Sequence, residues 1–446
     1  MCGQKYNHSL NSLYFMHWTN QLHLRRMETV LSYKSSLADK VLLFLVVASI
    51  FFEPLLPYFG GSSTTFFLFV FITAYVVFTR GQAIIKIAKS KYFLVFIFFT
   101  IVCVLMESIH YYQNYEYILR FANMGLGIFI ISLLCRDKEA LDVTVTSFIL
   151  CSAANSVYLI SGPFNYLRTY SVQGFNEASK ARIEAFEQFS MRDHLNDISI
   201  FSGLGSILGI IAFIYEKIRW RKVVYAILIL LALIGIFLPA SRTGALIFIV
   251  SLFIFGYKTK VKVKPLIVPV ILCTAVLLLI VPDVVWVRIG SIARLSEIQG
   301  EDSRAKLYQA IFRNIDQYLF TGVGSGYYWK SWAVKAGITN INDVYVPMAP
   351  HIAFFQVWIY WGLPGLMSFL FMMYIFSQAL NKDISNDRQK ASIYIFMAII
   401  PVVFLFYSSF YHKAFAVGAG LMLASRYWNL FDEKQSAIET VTTAYG

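Results

Sequence analysis

The sequence predicts an all-α, polytopic membrane protein: a helical bundle of about twelve transmembrane helices with two long loops on one face. Three observations predict this fold. The 446-residue chain is 58% hydrophobic and only 14% charged, with a mean hydropathy of +0.62, far from the balance of a soluble protein. Apolar stretches that approach the roughly 20 residues needed to cross the hydrocarbon recur along it. Basic connectors alternate with connectors that lack Lys and Arg.

The membrane domain is predicted over residues 41–430. Its spans are predicted at 41–59, 64–79, 92–108, 118–135, 143–160, 198–215, 223–239, 243–257, 265–282, 352–377, 391–410 and 414–430. Residues 1–40 form a polar N-terminal segment without the cleavage pattern of a signal peptide, and Met27 is an alternative start to Met1. Residues 431–446 form a short polar tail.

The basic residues predict the orientation. They lie in five connectors, 80–91, 136–142, 216–222, 257–264 and 381–390, which hold 17 Lys or Arg and 6 Asp or Glu. Connectors 60–63 and 109–117 hold no Lys or Arg. By the positive-inside rule the basic face is cytoplasmic, and both termini are expected there. The net charge of +13 is then a topology signal whose anionic partner is the lipid bilayer, and it does not indicate nucleic acid.

The two long connectors, 161–197 and 283–350, fall on the opposite, outer face. Because hydrocarbon cannot satisfy an irregular backbone, these loops must lie at or beyond the bilayer surface, and we expect the protein to act there. The histidines of the N-terminal segment (His8, His17 and His23) and the five dispersed Cys match no metal-site or disulfide spacing, so no metal site is expected there. No cofactor is predicted.

Loop 283–350 contains a predicted amphipathic helix. Its apolar positions recur every four residues at Leu307, Ile311, Ile315 and Leu319. Asp302 or Ser303 is expected to cap it. Arg304 and Lys306 then lie in the first turn, where the helix dipole is already positive. Such a helix start suits a phosphate or diphosphate, although pairing with Glu301 and Asp302 accounts for the two cations equally well.

A glycine run, Gly322–Gly326, follows this helix. It resembles a phosphate loop only superficially, because it follows a helix and lacks Gly-Lys-Ser/Thr, so a helix end and a tight turn are predicted. The aromatic residues after it could stack on sugar rings or anchor the chain at the interface: Tyr327, Tyr328, Trp329 and Trp332.

Two ionisable residues are predicted at the outer hydrocarbon boundary. Residues 239–244 separate two apolar spans and place Arg242 there, and His351 directly precedes span 352–377. Boundary charges are functional candidates by default, although an arginine at a span end often only snorkels.

Arg120 also lies near an outer span end. The acidic residues Glu53, Glu107 and Glu116 lie at outer ends too, so a structural ion pair is predicted, with an outward-facing Arg120 as the alternative. Arg192 belongs to loop 161–197, whose four Lys or Arg are balanced by five acidic residues, and the loop's own sequence assigns no role to any one of them.

Three segments resemble motifs of the O-antigen ligase and O-antigen polymerase superfamily. The first is Ala240–Leu246, which opens a span with Ser-Arg-Thr-Gly. The second is Asp302-Ser303-Arg304 with the glycine run after its helix. The third is His351, followed by the turn Gly362–Leu366. The resemblance covers residues 223–370 in detail and the rest of the chain as topology.

This resemblance implies glycan transfer at the periplasmic face of the bacterial inner membrane. The implied donor is a glycan on undecaprenyl diphosphate. The acceptor is a sugar hydroxyl on another lipid-linked repeat or on lipid A core. It implies that Arg242 and Arg304 clamp the diphosphate with Lys306 in support, and that His351 activates the acceptor or binds the donor. Arg120 and Arg192 are weaker candidates for binding the diphosphate or glycan.

The residues after His351 favour one branch of the superfamily. Ligases commonly have Asn and often an acidic residue there, whereas this chain has Ile352 and Ala353. A polymerase is therefore predicted and a ligase is the alternative. A multi-span transporter is the second alternative, although transporters of this topology often carry a long central inner loop, and connector 216–222 is short.

Overall fold

The computed structural model describes residues 34–53, 58–59, 62–110, 116–170, 175–187, 195–239, 241–259, 281–290, 303–337, 339–340, 343–347, 352–378, 387–406 and 413–428. Helices account for most of this part of the chain. They are α1 Leu37–Phe52, α2 Thr64–Ala88, α3 Lys91–Ser108, α4 Glu116–Leu134, α5 Lys138–Ser161, α6 Pro163–Leu167, α7 Phe175–Glu187, α8 Leu195–Tyr215, α9 Arg219–Phe237, α10 Arg242–Thr259, α11 Asp283–Gly290, α12 Ser303–Arg313, α13 Tyr327–Lys335, α14 Ala353–Ser377, α15 Arg388–Phe406 and α16 Lys413–Tyr427.

Two short antiparallel ribbons interrupt the helical architecture. Strand β1 (Tyr58–Phe59) pairs with β2 (Ser62–Ser63), and β3 (Thr339–Asn340) pairs with β4 (Asp343–Pro347). The second ribbon lies in loop 283–350 and β2 lies in connector 60–63, where a two-stranded turn satisfies its own backbone groups. Strand β1 instead occupies the last two residues of the predicted span 41–59. The all-α prediction is confirmed apart from these ribbons.

Seven described helices are long and apolar enough to cross a membrane. Their segments are Thr64–Gly81, Lys91–Ser108, Lys138–Ser161, Asn196–Tyr215, Arg219–Phe237, Ala353–Ser377 and Arg388–Leu405. Helices also cover most of the other predicted spans. Span 41–59 is helical only as far as Phe52 and ends in β1, and span 265–282 lies outside the described residues apart from its last two positions. The described residues therefore form a helical bundle with seven candidate membrane spans. The count of twelve and the sidedness stay predictions.

One end of the bundle gathers residues from the basic connectors. Asp39, fully buried near the start of α1, accepts hydrogen bonds from the side chains of Arg80 and Arg136. Arg80 lies at a kink in α2, where its φ of −144° departs from the helix, and its Nη1 donates to the Leu133 carbonyl at 2.7 Å. The start of α1 and the ends of α2 and α4 therefore meet at this basic end.

Close helix approach in the bundle depends on glycines facing serines. Gly205 of α8 faces the side chain of Ser152 in α5, and Gly235 of α9 faces Ser156 and Ser202. A Cβ at Gly205 would lie within 2.4 Å of the Ser152 Cβ. Small residues let helices pack backbone against backbone, which compensates for the weak hydrophobic drive between helices in lipid.

The opposite end, which we call the loop end, carries the short helices of the two long connectors. A second hydrophobic cluster lies there, and Ala178 and Ala181 of α7, Ile236 and Leu238 near the end of α9, and Val285 of α11 belong to it. Helices α7 and α11 pack against each other. Parts of both long connectors thus cover the end of α9, just before Arg242.

Candidate functional site

The first predicted motif is a tight break between α9 and α10. Helix α9 ends at Phe237 and α10 begins at Arg242, as the sequence predicts. Ser241 is buried, and its hydroxyl donates to Asn196 Oδ1 of α8 at 3.0 Å. A Cβ at Gly244 would lie 2.7 Å from the Ser199 Cβ, so only glycine lets α10 approach α8 this closely. The serine and glycine of the motif therefore fix where α10 starts.

Arg182 of α7 holds the same break from the loop side. Its Nε donates to the Pro239 carbonyl, and its Nη2 donates to Asn196 Oδ1 at 3.3 Å. Arg182 is only 8% exposed. Asn196 Oδ1 thus accepts from both Arg182 and Ser241. Neither Arg182 nor Asn196 lies in a recognisable sequence motif, so the sequence alone assigns no role to either residue.

The second predicted motif lies on α12, Ser303–Arg313. Arg304 and Lys306 fall in its first turn, and Leu307 and Ile311 are buried, as predicted. The helix is shorter than its apolar repeat predicts, because a 3₁₀ turn replaces it at Ile315–Gln317. The tighter turn lets the Tyr318 hydroxyl donate to the Ile311 carbonyl at 3.0 Å.

Helix α12 lies against the first turns of α14. The rings of Tyr308 and Phe312 contact the ring of Phe355, with centroid distances of 5.9 and 5.4 Å. Further along, the Trp358 indole donates to the Leu319 carbonyl at 3.2 Å. Residues 308–319 and the first turns of α14 therefore run in the same direction. Arg304 precedes Tyr308 by one helical turn, so its backbone lies toward the start of α14.

The glycine run interlocks with the kink in α14. Val323 and Gly324 donate backbone hydrogen bonds to the carbonyls of Ile359 and Tyr360 at 2.8 and 3.0 Å. Gly322 and Gly362 have φ values of +74° and +62°, the left-handed region that favours glycine. A Cβ on Gly362 would lie 2.7 Å from the Gly322 nitrogen. The two glycine motifs of the sequence therefore form one backbone crossing.

A buried carboxylate stabilises this crossing. Glu107, at the end of α3, is 1% exposed. Its oxygens accept from the Ser325 backbone N–H at 3.1 and 3.2 Å and from the Trp361 indole at 2.9 Å. Charge-assisted hydrogen bonds of this kind are strong in a low-dielectric interior. The glycine run is thereby tied to the loop end of α3.

The charged residues predicted to form ion pairs at outer span ends have different kinds of partners. Glu53 pairs with Lys413, a partner that the sequence does not predict. An ion pair of Arg120 with one of these acidic residues stays a prediction. Glu107 accepts hydrogen bonds from the neutral donors just described. Arg120 is exposed, and its guanidinium lies 5.5 Å from the centre of the Tyr117 ring. The Tyr117 hydroxyl lies 3.3 Å from the Tyr360 hydroxyl, so Arg120 borders the aromatic side of the crossing.

The aromatic residues after the glycine run divide into two groups. Trp329 is buried and packs on Tyr360, with ring centroids 5.4 Å apart. Trp332 packs edge-on against Tyr318, and its indole donates to Gln317 Oε1 at 2.7 Å. These two tryptophans therefore support the crossing. The side chains of Tyr327 and Tyr328 lie outside the described ones.

The predicted site residues are described to different extents. The structure describes the backbone but not the side chains of Arg242, Arg304 and Lys306, and His351 and Arg192 lie outside the described residues. Helix α10 packs against α8, α9 and α15, and α14 packs against α3 and α15. The helix that begins with Arg242 and the helix that follows His351 thus have a common neighbour, α15. Convergence of the predicted site residues on one ligand stays a prediction.

Among the described residues, no group of three His, Cys, Asp or Glu side chains could hold a metal ion. The chemistry available in the described segments is that of cationic side chains at helix starts. Each of the two arginines lies in the first turn of its helix, where unpaired backbone N–H groups also favour an anion.

Comparison with known protein families finds a match over about a third of the chain. Residues 226–370 match the family model described as O-antigen ligase. This segment is similar to an O-antigen ligase domain. This confirms the predicted resemblance to the O-antigen ligase and polymerase superfamily. The matched segment contains the break before α10, the start of α12 and the crossing of the glycine run with α14. No match was found among curated proteins.

Proposed function

We propose that this protein transfers a glycan from undecaprenyl diphosphate to a sugar hydroxyl at the periplasmic face of the inner membrane. One observation carries the proposal. Within the matched segment, Arg242 is the first residue of α10 and Arg304 is the second residue of α12. Two helix starts that each carry an arginine suit a diphosphate, which bears negative charge at two phosphorus centres.

The proposed reaction requires one bond to form and one to break. The acceptor hydroxyl oxygen bonds to the anomeric carbon of the donor glycan, and the bond from that carbon to the diphosphate oxygen breaks. Undecaprenyl diphosphate leaves with the bonding electrons. Arg242 and Arg304, supported by Lys306, stabilise the negative charge that develops on the leaving group. Arg120 and Arg192 are weaker candidates for contacting the diphosphate or the glycan.

His351 is proposed to take the proton from the acceptor hydroxyl. Histidine is the side chain whose ordinary pKa leaves it neutral near pH 7 and able to accept a proton. Two features support its placement. His351 lies two residues before the start of α14, and Arg304 lies one turn before the contact of α12 with Phe355 of that helix. With both residues near one helix start, Arg304 acts on the leaving diphosphate and His351 acts on the acceptor hydroxyl.

The polymerase form of the reaction is preferred because Ile352 and Ala353 replace the residues that commonly follow the histidine in ligases. In a polymerase the acceptor is a second lipid-linked repeat unit, and in a ligase it is lipid A core. A multi-span transporter remains the candidate from another class, since seven apolar helices also suit transport. A transporter leaves its substrate chemically intact.

The deciding experiment uses the purified protein in nanodiscs with a lipid-linked repeat unit and no other acceptor. A ladder of lengthening chains with release of undecaprenyl diphosphate is expected. Transfer only after lipid A core is added would instead establish a ligase. A substrate left intact under both conditions would contradict the proposed transferase and favour the transporter.

A further inference from the structure

The break that precedes Arg242 is held by a small hydrogen-bonded cluster, which we call the clamp: Arg182, Asn196 and Ser241. Arg182 joins the Pro239 carbonyl to Asn196, and Ser241 donates to the same Asn196 oxygen. The cluster bridges three elements, α7, α8 and the α9–α10 break. Each side of the break is thereby tied to a separate helix.

Because Arg182 is buried, its hydrogen bonds contribute strongly to holding the break in place. A guanidinium that is only 8% exposed has lost most of its hydration and must regain hydrogen bonds from protein oxygens. The Pro239 carbonyl belongs to the break itself, so its position affects how well the guanidinium is satisfied. Movement of the break would leave a buried cation poorly solvated. The break is therefore held firmly in place.

The same contacts and burial argue against a role for Arg182 in binding the substrate. Its Nε and one Nη donor already contact protein oxygens, and the side chain is buried beneath the loop end. The residue that follows the clamp, Arg242, begins α10. Gly244 then brings α10 against Ser199 of α8, three residues after Asn196. Clamp and close packing together leave the first turn of α10 little freedom.

We infer that Arg182 and Asn196 are positioning residues, which act through the break to orient Arg242 toward the diphosphate. This inference rests on the proposed function. It gives the first long connector a role, because α7 supplies Arg182. Helix α7 also packs against α11, which belongs to the second long connector. The connector that leads to Arg304 thus touches the helix that orients Arg242.

The test compares single variants in the nanodisc transfer assay: Arg182→Ala, Arg182→Lys, Asn196→Ala and Asn196→Asp. Lys180→Ala is the matched control, because Lys180 lies on the same helix with its side chain 80% exposed in an ion pair with Glu184. Misplacing a catalytic group by about 1 Å can lower a rate roughly 100-fold. We expect Arg182→Ala and Asn196→Ala to lower kcat roughly 10- to 100-fold, with a smaller change in KM for the donor.

Two readouts distinguish orientation of Arg242 from a merely structural role. Asn196→Asp keeps an acceptor oxygen of the same shape and is expected to lose far less activity than Asn196→Ala. In an Arg242→Lys background, Arg182→Ala is expected to have little further effect on kcat. The reason is that Arg182 affects the reaction only through the position of Arg242. Equal and independent losses in the two backgrounds would overturn the inference.

Failure of the inference is separable from failure of the proposed function. If the wild-type protein makes product and Arg182→Ala retains its kcat, transfer stands and the clamp has no part in it. If the wild-type protein makes no product, the proposed function itself fails. Should Arg182→Ala not accumulate in the membrane, Ser241→Ala removes one clamp hydrogen bond without creating a buried void. Full kcat in that variant and in Arg182→Lys would overturn the inference.

Discussion

The carboxylate of Glu107 accepts a hydrogen bond from the indole nitrogen of Trp361, with 2.9 Å between Oε2 and Nε1. The two residues are 254 positions apart in the chain, and the same carboxylate also accepts from the Ser325 backbone. Glu107 thus joins α3, the glycine run and the kink of α14 at one point. This point supports the segment that carries Arg304.

Removal of the Glu107 carboxylate is expected to destabilise the loop end. Glu107→Ala leaves two buried N–H groups without their acceptor, which costs about 1–3 kcal/mol for each group. Trp361→Phe removes one donor and also leaves a void at a buried side chain, so it should destabilise the loop end as well. Thermal unfolding of the detergent-solubilised protein, followed by gel filtration, measures both losses. A midpoint for Glu107→Ala equal to that of the wild type would contradict the assigned hydrogen bonds.

The glycine crossing predicts a difference between two glycines that share a left-handed backbone. Gly322 and Gly337 have φ values of +74° and +73°. A Cβ at Gly322 would lie 2.6 Å from the Trp361 nitrogen, whereas a Cβ at Gly337 meets nothing within 4 Å. Gly337→Ala should therefore cost only the backbone strain, of order 1 kcal/mol. Gly322→Ala should lower stability clearly more, and equal unfolding midpoints would count against the crossing.

Helix α10 offers a second matched pair. A Cβ at Gly244 would clash with Ser199, whereas a Cβ at Gly256 of the same helix meets nothing within 4 Å. Gly244→Ala is expected to push the start of α10 away from α8 and to lower glycan transfer. Gly256→Ala should leave transfer unchanged and stabilise the helix by up to about 1 kcal/mol. Transfer rates at equal protein concentration test this, and unimpaired Gly244→Ala would refute it.

The arginine at the start of α12 is expected to differ from the one at its end. Arg304 lies in the first turn, and Arg313 is an exposed residue of the last turn, where a cation suits the helix dipole. Arg304→Ala should abolish glycan transfer without lowering the amount of protein in the membrane. Arg313→Ala should transfer glycan at the wild-type rate. Normal transfer by Arg304→Ala would contradict the proposal that Arg304 binds the diphosphate.

The basic end gives a prediction about stability and pH. Burial raises the pKa of the Asp39 carboxyl, yet the charge of Arg80 and hydrogen bonds from Ser36, Arg80 and Arg136 hold this pKa below its ordinary value. Asp39→Asn leaves two arginines near a neutral side chain, which for buried pairs costs about 3–5 kcal/mol. Glu139→Gln is the control. The Glu139 side chain, which pairs with Lys40, is 80% exposed, and an exposed ion pair contributes little to stability.

The sign of the pH dependence follows from the lowered pKa. The stabilisation by Asp39 is fully present above the unfolded pKa of about 3.9 and is lost as the pH falls through the lower folded value. The difference in unfolding midpoint between wild type and Asp39→Asn should therefore be constant near neutral pH and shrink below about pH 4. A difference that grows in acid would contradict this account of Asp39.

Local patterns in the sequence were enough to predict most helices and the starts of two motif helices. Hydropathy places most of the described long helices, and the break at residues 239–242 follows from Pro239 and the polar residues after it. The four-residue repeat around Leu307 predicts α12 and places Arg304 in its first turn. It overestimates the length of α12, because tertiary contacts of Tyr318 favour a tighter turn that no repeat reports.

By itself the sequence determined the helical class, the positions of most long helices and which cations begin α10 and α12, because these depend on periodicity over a few adjacent residues. It did not predict the short helices α6, α7, α11 and α13. Only the tertiary structure decided the partners of Glu107, Arg182 and the two glycine motifs. Arg182 meets Pro239 across 57 positions, and Ser325 meets Glu107 across 218. A buried polar group requires some partner, but its own neighbours in the chain do not specify which distant segment supplies it.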